Sequence, residues 1–386
     1  MSADRVAVIG AGVIGASVAW HLIQARAECE VVLIDTHLPT IGATAYSAGI
    51  LRRHHSLASD VELAGRSLEF YKRFGERVGG SCGYTPRGFL FIVEPRFAEA
   101  VRRNRAVIDS VGTATELFDA DQLAKLYPDL VLSGDELGVL EADGGYGSAQ
   151  LTTRAFGEAF AAAGGASLTG VRVDELATGP SGSWRLRTNI GTLEADQVVL
   201  AAGAATAELT AGLDVALSLT PRRIGLAVLG GRGAADGELP VCIDDVTGTY
   251  FVPRTDGSTA VGVRARPECE QIIPAQPLTA AEIDEALTRG ARRVPGFADG
   301  RVIGTQAACD GYTPDGRPLL GPVPGRPGLH LACGFSGGGF KIAPAVGEQI
   351  AQAVLGTAET PLLSGYSAGR FEAGLPLGSE TAYVHL

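Results

Sequence analysis

The chain has 386 residues, 46% hydrophobic and 19% charged, which suits two ordinary-sized units with large cores and excludes a disordered polypeptide. The formal net charge of −11 argues against a nucleic-acid binder, which carries a basic patch. The 53 glycines follow no Gly-X-Y period, so they mark tight turns and close backbone approaches. Residues 5–9 (RVAVI) read as a short buried parallel strand. GAGVIG follows at 10–15, then a helix over 16–24 and a second strand over 30–34 that ends at Asp35. The apolar run 6–22 is at the lower edge for a membrane span, and its glycines have a better explanation below. A helix is expected over 60–77, on the surface, from the spacing of Leu63, Leu68, Tyr71 and Phe74. Next come a strand over 88–93, helices over 97–107 and 153–163, and a buried strand over 198–203. Strands over 221–229, 248–252 and 258–263 suit a second, more antiparallel sheet. A helix over 278–291, a strand over 329–334 and a helix over 342–355 complete the pattern. No internal repeat or long linker is present.

The first turn carries the dinucleotide fingerprint inside a βαβ unit. Gly10 makes the tight turn, Gly12 lets the backbone approach a pyrophosphate, and Gly15 lets helix and strand pack closely. The helix N-terminus offers N–H groups and a positive dipole end to phosphates, and Val13 and Ile14 in the turn before it are expected to contact the cofactor. Asp35 lies twenty residues beyond Gly15, where an acid accepts from ribose hydroxyls. This motif does not separate NAD from FAD. Two later segments favour FAD: VVLAAGA at 198–204, a strand running into Ala202 and Gly203, and GLHLACGFSGGGFK at 328–341, a strand running into a glycine turn and a helix. Flavoproteins of the glutathione-reductase-like Rossmann class return to the cofactor in this way.

The glycine turn has a physical use. A reduced isoalloxazine is negative near its N1–C2=O edge, and a helix N-terminus stabilises such charge. Gly337, Gly338 and Gly339 let the backbone come close without a Cβ. Lys341 in the first turn opposes the helix dipole. It is therefore expected to meet an anion, a substrate carboxylate being the natural one beside a flavin; a solvated surface lysine is the alternative.

The six cysteines, Cys29, Cys82, Cys242, Cys269, Cys309 and Cys333, show no C-x-x-C and no zinc-ligand spacing. They are expected as buried free thiols, with no metal site. No basic n-region or cleavage site is read at the N-terminus, so a cytoplasmic location is the default expectation.

Over nearly its whole length the chain resembles the FAD-dependent D-amino acid oxidase (DAO) superfamily, in particular its monomeric sarcosine oxidase and glycine oxidase branch. The resemblance rests on VIGAGVIGASVAWHL at the start, GATAYSAGILRRHHS at 42–56, TPDGRPLLGPV at 313–323 and GFSGGGFKIAPAVGE at 334–348. The last is close to the GFSGHGFK motif of sarcosine oxidases. The fold implied is α/β (α+β overall): a discontinuous Rossmann-type FAD-binding domain (1–80, 145–215 and 300–386) interleaved with a substrate-binding domain on a mixed or antiparallel sheet (81–144 and 216–299). The activity implied is oxidation of a C–N bond in a secondary amine, glycine-like or D-amino acid. A hydride leaves the substrate for the flavin, and the resulting imine is hydrolysed. Reoxidation is by O2 or another acceptor.

Position by position, the resemblance puts Lys341 and Arg52 on the carboxylate-binding pair, although Arg53 replaces Arg52 after a one-residue shift. Arg offers bidentate geometry and Lys a point charge. Tyr250 falls on a substrate-facing tyrosine. His54 and His55 sit next to the flavin loop. Cofactor contacts are implied for Thr44, Ser47, Gly49, Ile50 and Leu51, for Val173, and for Gly334, Phe335, Ser336 and Phe340 around the glycine turn. Cys309 lies near a cysteine that tethers FAD in sarcosine oxidases, one residue out of register, and a free thiol is the alternative. Departures accompany the likeness. Gly338 replaces a histidine, Ala260 an oxygen-activating lysine, and Arg264 a substrate-side histidine. Asp310 stands where glycine oxidases have a carboxylate-binding arginine, so it binds a cationic group or is a turn residue before Gly311. Two other functions stay open: an FAD-dependent 2-hydroxy-acid dehydrogenase with His54 or His55 as base, and a non-catalytic flavoprotein subunit.

Overall fold

A computed structural model describes residues 4–25, 29–37, 42–110, 115–179, 182–230, 239–266, 269, 272 and 277–378. Two sheets organise them. The smaller has six strands in the order Leu319–Pro322, Leu329–Cys333, Gln197–Leu200, Arg5–Ile9, Glu30–Asp35, Ala166–Thr169. All its pairings are parallel except that of the edge strand Leu319–Pro322. Parallel strands covered on both faces are apolar throughout: Val198, Val199 and Leu200 are all fully buried, as is Val8.

The larger sheet has eight strands: Arg301–Tyr312, Thr220–Gly230, Thr259–Arg266, Thr249–Pro253, Val241–Asp244, Phe89–Val93, Leu137–Glu141 and Glu116–Asp119. It is antiparallel except where Val241–Asp244 meets Phe89–Val93. The expected passage between units at residue 300 falls just before Arg301–Tyr312, which belongs to this larger sheet; the chain turns away from it only after Tyr312. A separate antiparallel sheet, Gly191–Ala195, Trp184–Thr188, Val173–Thr178, carries Val173.

Three helices position the site. Val13–Ala25 follows the first strand, and Gly339–Leu355 packs along it. The approach is close: a Cβ on Gly347 would lie 2.2 Å from Ser17 Oγ. The segment expected as a surface helix over 60–77 differs from that reading. It breaks at Arg73 into Ala58–Lys72 and Phe74–Arg77; its first part packs on the C-terminal helix, with Tyr71 against Phe340, and buries Leu63, Leu68 and Phe70, the last against Trp20 and Phe156. The apolar stripe was wide enough to face a neighbouring helix rather than water.

That neighbour repairs a defect. Pro344 lies inside Gly339–Leu355 and has no N–H to give the Phe340 carbonyl. The Tyr71 hydroxyl donates to that carbonyl instead, at 2.6 Å, and Ser67 Oγ accepts from the Ala345 N–H at 3.1 Å. Both side chains come from Ala58–Lys72, so this helix holds the residues on either side of Lys341. Tyr71→Phe is expected to lower stability by about 1–3 kcal/mol, because it strands a buried carbonyl. Urea unfolding reads this as a lower midpoint at constant m-value; an unchanged midpoint would refute the repair.

Candidate active site

One cavity of about 1040 Å³ runs from the first βα turn to the larger sheet, at the top of the roughly 300–1,000 Å³ range of small-molecule sites. It lies beyond the carboxyl ends of the parallel strands, where ligands bind in open α/β sheets. Every position expected to hold the cofactor lines it except Gly15, Leu51 and Gly334. Those three act from behind the wall. A Cβ on Gly15 would lie 1.8 Å from the Gly10 carbonyl oxygen, and one on Gly334 would lie 2.9 Å from a Thr313 methyl. Leu51 is buried in the core with Leu63 and Leu68.

At one end, Gly10 has φ +104° and a Cβ there would lie 2.4 Å from the Ala201 carbonyl oxygen. Only glycine tolerates both the left-handed φ and the contact. Gly12, Val13 and Ile14, the opening of the first helix, line the cavity, as an anion-binding helix start requires. Asp35 accepts from the Ala11 N–H at 2.6 Å and from the His37 N–H at 2.8 Å. Each carboxylate oxygen keeps a further lone pair, so the acid can still take ribose hydroxyls. A turn closed to any Cβ, a helix start and an acid on the second strand fit the phosphates and ribose of FAD.

At the other end, cations converge. Gly49 (φ +75°) crosses within 2.0 Å, measured from its hypothetical Cβ, of the Gly147 carbonyl oxygen, and the short strand Ile50–Leu51 pairs with Gly145–Tyr146. This crossing delivers Arg52 to the cavity wall, 5% exposed. Its Nη1 donates to the His54 carbonyl. Arg53 faces elsewhere. Its backbone N–H reaches Glu141 at 2.8 Å and its guanidinium pairs with Asp143, so Arg52 is the arginine that reaches the cavity.

Lys341, in the first turn of Gly339–Leu355, is 9% exposed and also lines the cavity. No hydrogen bond or ion pair reaches its Nζ among the described residues. Burial first, and then the Arg52 charge, lower its pKa to about 7; Asp60 and Asp310 oppose the fall. Burial likewise brings Arg52 down to about 10. Two buried cations, neither in an ion pair with a carboxylate among the described residues, form a receptor for a carboxylate.

Tyr250 lines the cavity from the larger sheet, and burial pushes its pKa up to about 12. Its ring lies over Gly262 of the adjacent strand, where a Cβ would meet the ring at 2.0 Å. Ala260 is fully buried within the sheet's apolar cluster. The backbone of Arg264 belongs to Thr259–Arg266, and its side chain lies outside the described residues.

Asp310 accepts from the Gly337 N–H at 2.7 Å and from its neighbour Gly311 at 2.8 Å. It therefore anchors the glycine turn, in which Gly337 (φ +83°) and Ser336 (φ +50°) are left-handed. Cys309 departs from both earlier expectations: it is bonded to Cys269, with the two Cα atoms 6.1 Å apart. Neither is a free thiol, and the sulfur near the tether position is occupied. Cys29, Cys82, Cys242 and Cys333 are free and buried.

Several residues at this end carried no sequence signal of their own. Arg317 and Asp60 line the cavity, with Arg317 Nε 2.6 Å from Asp60 Oδ2. The pair is close as charges without hydrogen-bond alignment. The Tyr366 hydroxyl donates to Asp60 at 2.6 Å. The two histidines separate: His54 is fully buried with its ring 5.4 Å from that of Phe91, while His55 faces the cavity.

With this geometry established, the likeness to known proteins gains meaning. A family model described as "DAO: FAD dependent oxidoreductase" matches residues 5–353. The chain is 26% identical over 363 residues to 4-methylaminobutanoate oxidase (formaldehyde-forming) of Paenarthrobacter nicotinovorans, covering 91% of this chain but 43% of that protein. It is 25% identical over 357 residues to glycine oxidase of Geobacillus kaustophilus, covering 90% of this chain and 92% of that one. The crystal structure of this glycine oxidase superposes with a TM-score of 0.83 over 95% of this chain and 99% of that one. L-proline dehydrogenase from P. horikoshii shares the fold, with a TM-score of 0.87 at 22% identity over 96% of this chain and 98% of that one. No helix among the described residues is long and apolar enough to cross a membrane. Fingerprint, cavity and family model agree: the chain belongs to the DAO family of FAD-dependent oxidoreductases.

Proposed function

We propose that this protein oxidises the C–N bond of an amine or amino acid that carries a carboxylate. The observation that supports this most is the pair of buried cations, Arg52 and Lys341, on the cavity wall, neither in an ion pair with a carboxylate among the described residues. When bound, FAD supplies the two-electron acceptor. The chain's own residues do the rest. Arg52 and Lys341 hold the carboxylate and so fix where the C–N bond lies. Tyr250, a phenol at neutral pH whose pKa burial raises further, is a hydrogen-bond donor on the opposite wall. Asp310 holds the glycine turn through Gly337, which keeps Lys341 in place, and its charge favours the protonated lysine from a distance. The two-unit division of the chain is part of this proposal, the cavity lying between the parallel and the larger sheet. Relatives named as acting on glycine and methylaminobutanoate support an amine rather than a 2-hydroxy acid.

The test is an absorbance spectrum of the purified protein, followed by anaerobic mixing with glycine, sarcosine, proline, 4-methylaminobutanoate and lactate. A flavin spectrum bleached by an amine carboxylate is expected, and acid precipitation should leave the flavin in the supernatant, since Cys309 is bonded to Cys269. Bleaching by lactate alone would overturn the C–N assignment. Yellow colour retained in the pellet would overturn the disulfide account of Cys309.

A further inference from the structure

His55 is the group at this site that the carboxylate-binding pair leaves unexplained. It is 8% exposed and lines the cavity, yet neither ring nitrogen has a hydrogen-bond partner among the described residues. A neutral imidazole carries one donor and one acceptor. Burying both unmet is unfavourable, so the arrangement makes sense if a ligand completes it.

The charges around the ring say which ligand. Arg52, beyond the short strand Ile50–Leu51, Lys341 on the C-terminal helix and Arg317 in the turn before Leu319–Pro322 all act on it, with His54 beside it in the chain. The carboxylates nearby are engaged. Asp60 is paired to Arg317 and Tyr366, Asp310 binds Gly311 and Gly337, and Glu141 accepts from Arg53. Asp245 acts on Arg52 from farther back. Burial and three cations hold the empty ring neutral. An arriving anion cancels part of that field and offers an acceptor for a ring N–H.

We propose that His55 is a further ligand-contacting residue of this site, donating an N–H to the carboxylate that Arg52 and Lys341 attract and taking up a proton as that carboxylate binds. This rests on the carboxylate reading above. Binding then tightens as pH falls, through two separate groups, Lys341 and His55. A second consequence is selectivity: the ring binds carboxylates and gives nothing to uncharged amines of the same shape.

The test uses holoenzyme and acetate, with calorimetry near pH 7 in PIPES and in imidazole, whose ionisation heats differ. The variants are His55→Asn, His55→Phe and Lys341→Met, each checked for an unchanged flavin spectrum. Wild type is expected to bind acetate with net proton uptake. His55→Phe should weaken binding about ten- to a hundredfold, the effect of one lost hydrogen bond to a charged group. His55→Asn, which keeps an N–H donor and has no titrating ring, should recover part of the affinity with reduced uptake. Lys341→Met should retain the share of uptake due to His55. Wild-type affinity in His55→Phe, or undiminished uptake in His55→Asn, would overturn the role of His55 while leaving the carboxylate reading intact. Absence of acetate binding to wild type would overturn that reading, and this inference with it.

Discussion

Lys341→Met is expected to lower kcat/KM for a carboxylate-bearing amine by about 30-fold to about 5,000-fold. Truncating one partner of a buried charge pair costs about 2–5 kcal/mol, and each 1.36 kcal/mol is tenfold. Methionine keeps the length and apolar stem of the side chain, so the cavity wall stays filled. The loss should concentrate on substrates with a carboxylate and spare an amine of the same size without one. Equal losses on both would mean that Lys341 shapes the cavity rather than holding an anion. The same lysine sets a pH dependence. Its pKa is lowered to about 7, so the empty site loses this positive charge as pH rises through neutrality. Acetate affinity should be highest below about pH 7 and fall above it, and the Lys341→Met profile should be shallower, keeping only the part due to His55. Acetate is the better probe because it has no amine that titrates in the opposite direction. For stability the sign is reversed. Between about 7 and 10.5 the unfolded chain holds a proton at this position that the folded chain does not. This group therefore makes stability rise with pH across that window.

Gly10→Ala is expected to yield protein purified without flavin, and poorly folded. The added Cβ meets the Ala201 carbonyl oxygen, carbon and the Ala202 Cα at 2.4, 2.6 and 2.9 Å. These are backbone atoms of the adjoining strand end, which no side-chain rotation can move. The residue also needs φ +104°, a conformation that L side chains rarely adopt. Relief requires moving either the helix start or the central strand, and both lie where the cofactor fits. The flavin-to-protein absorbance ratio reads the outcome directly. A Gly10→Ala protein with a full complement of flavin would show that the cofactor lies elsewhere. Gly316→Ala makes a useful control: its φ is also positive but nothing lies within 4 Å of its Cβ, so only local strain should follow.

Much of the nucleotide end was legible in the chain because its parts are contiguous. RVAVI, GAGVIG and EVVLID form one local unit, and each glycine answers to a constraint within it. The glycine turn before Lys341 was legible for the same reason. What escaped depends on distance in sequence. Asp60 and Arg317 are 257 residues apart by number (317 − 60), and no periodicity announces that a helix start and a turn meet. Cys269 and Cys309, with a sequence separation of 40, gave no local pattern either. The strand Trp184–Thr188 is a different case. WRLRT alternates buried and exposed residues along its length, a period-two signal legible without coordinates. Arg53 shows a further limit: RR is symmetrical as a motif, and only Glu141 and Asp143, about ninety residues on, decide which arginine turns to the cavity.

The order of strands in the parallel sheet has a consequence for how the protein is made. The strand Arg5–Ile9 leaves the ribosome long before its neighbour Gln197–Leu200. Leu329–Cys333, which covers the other side of that neighbour, comes later again. Until then Gln197–Leu200 is an open edge that is apolar over Val198, Val199 and Leu200, the feature that promotes pairing between chains. The lysine lip is also synthesised after almost everything it faces. A nascent chain thus carries a complete phosphate turn long before it has a closed cavity. Premature flavin capture by that turn would be weak, and the exposed edge is the part that needs shelter during synthesis.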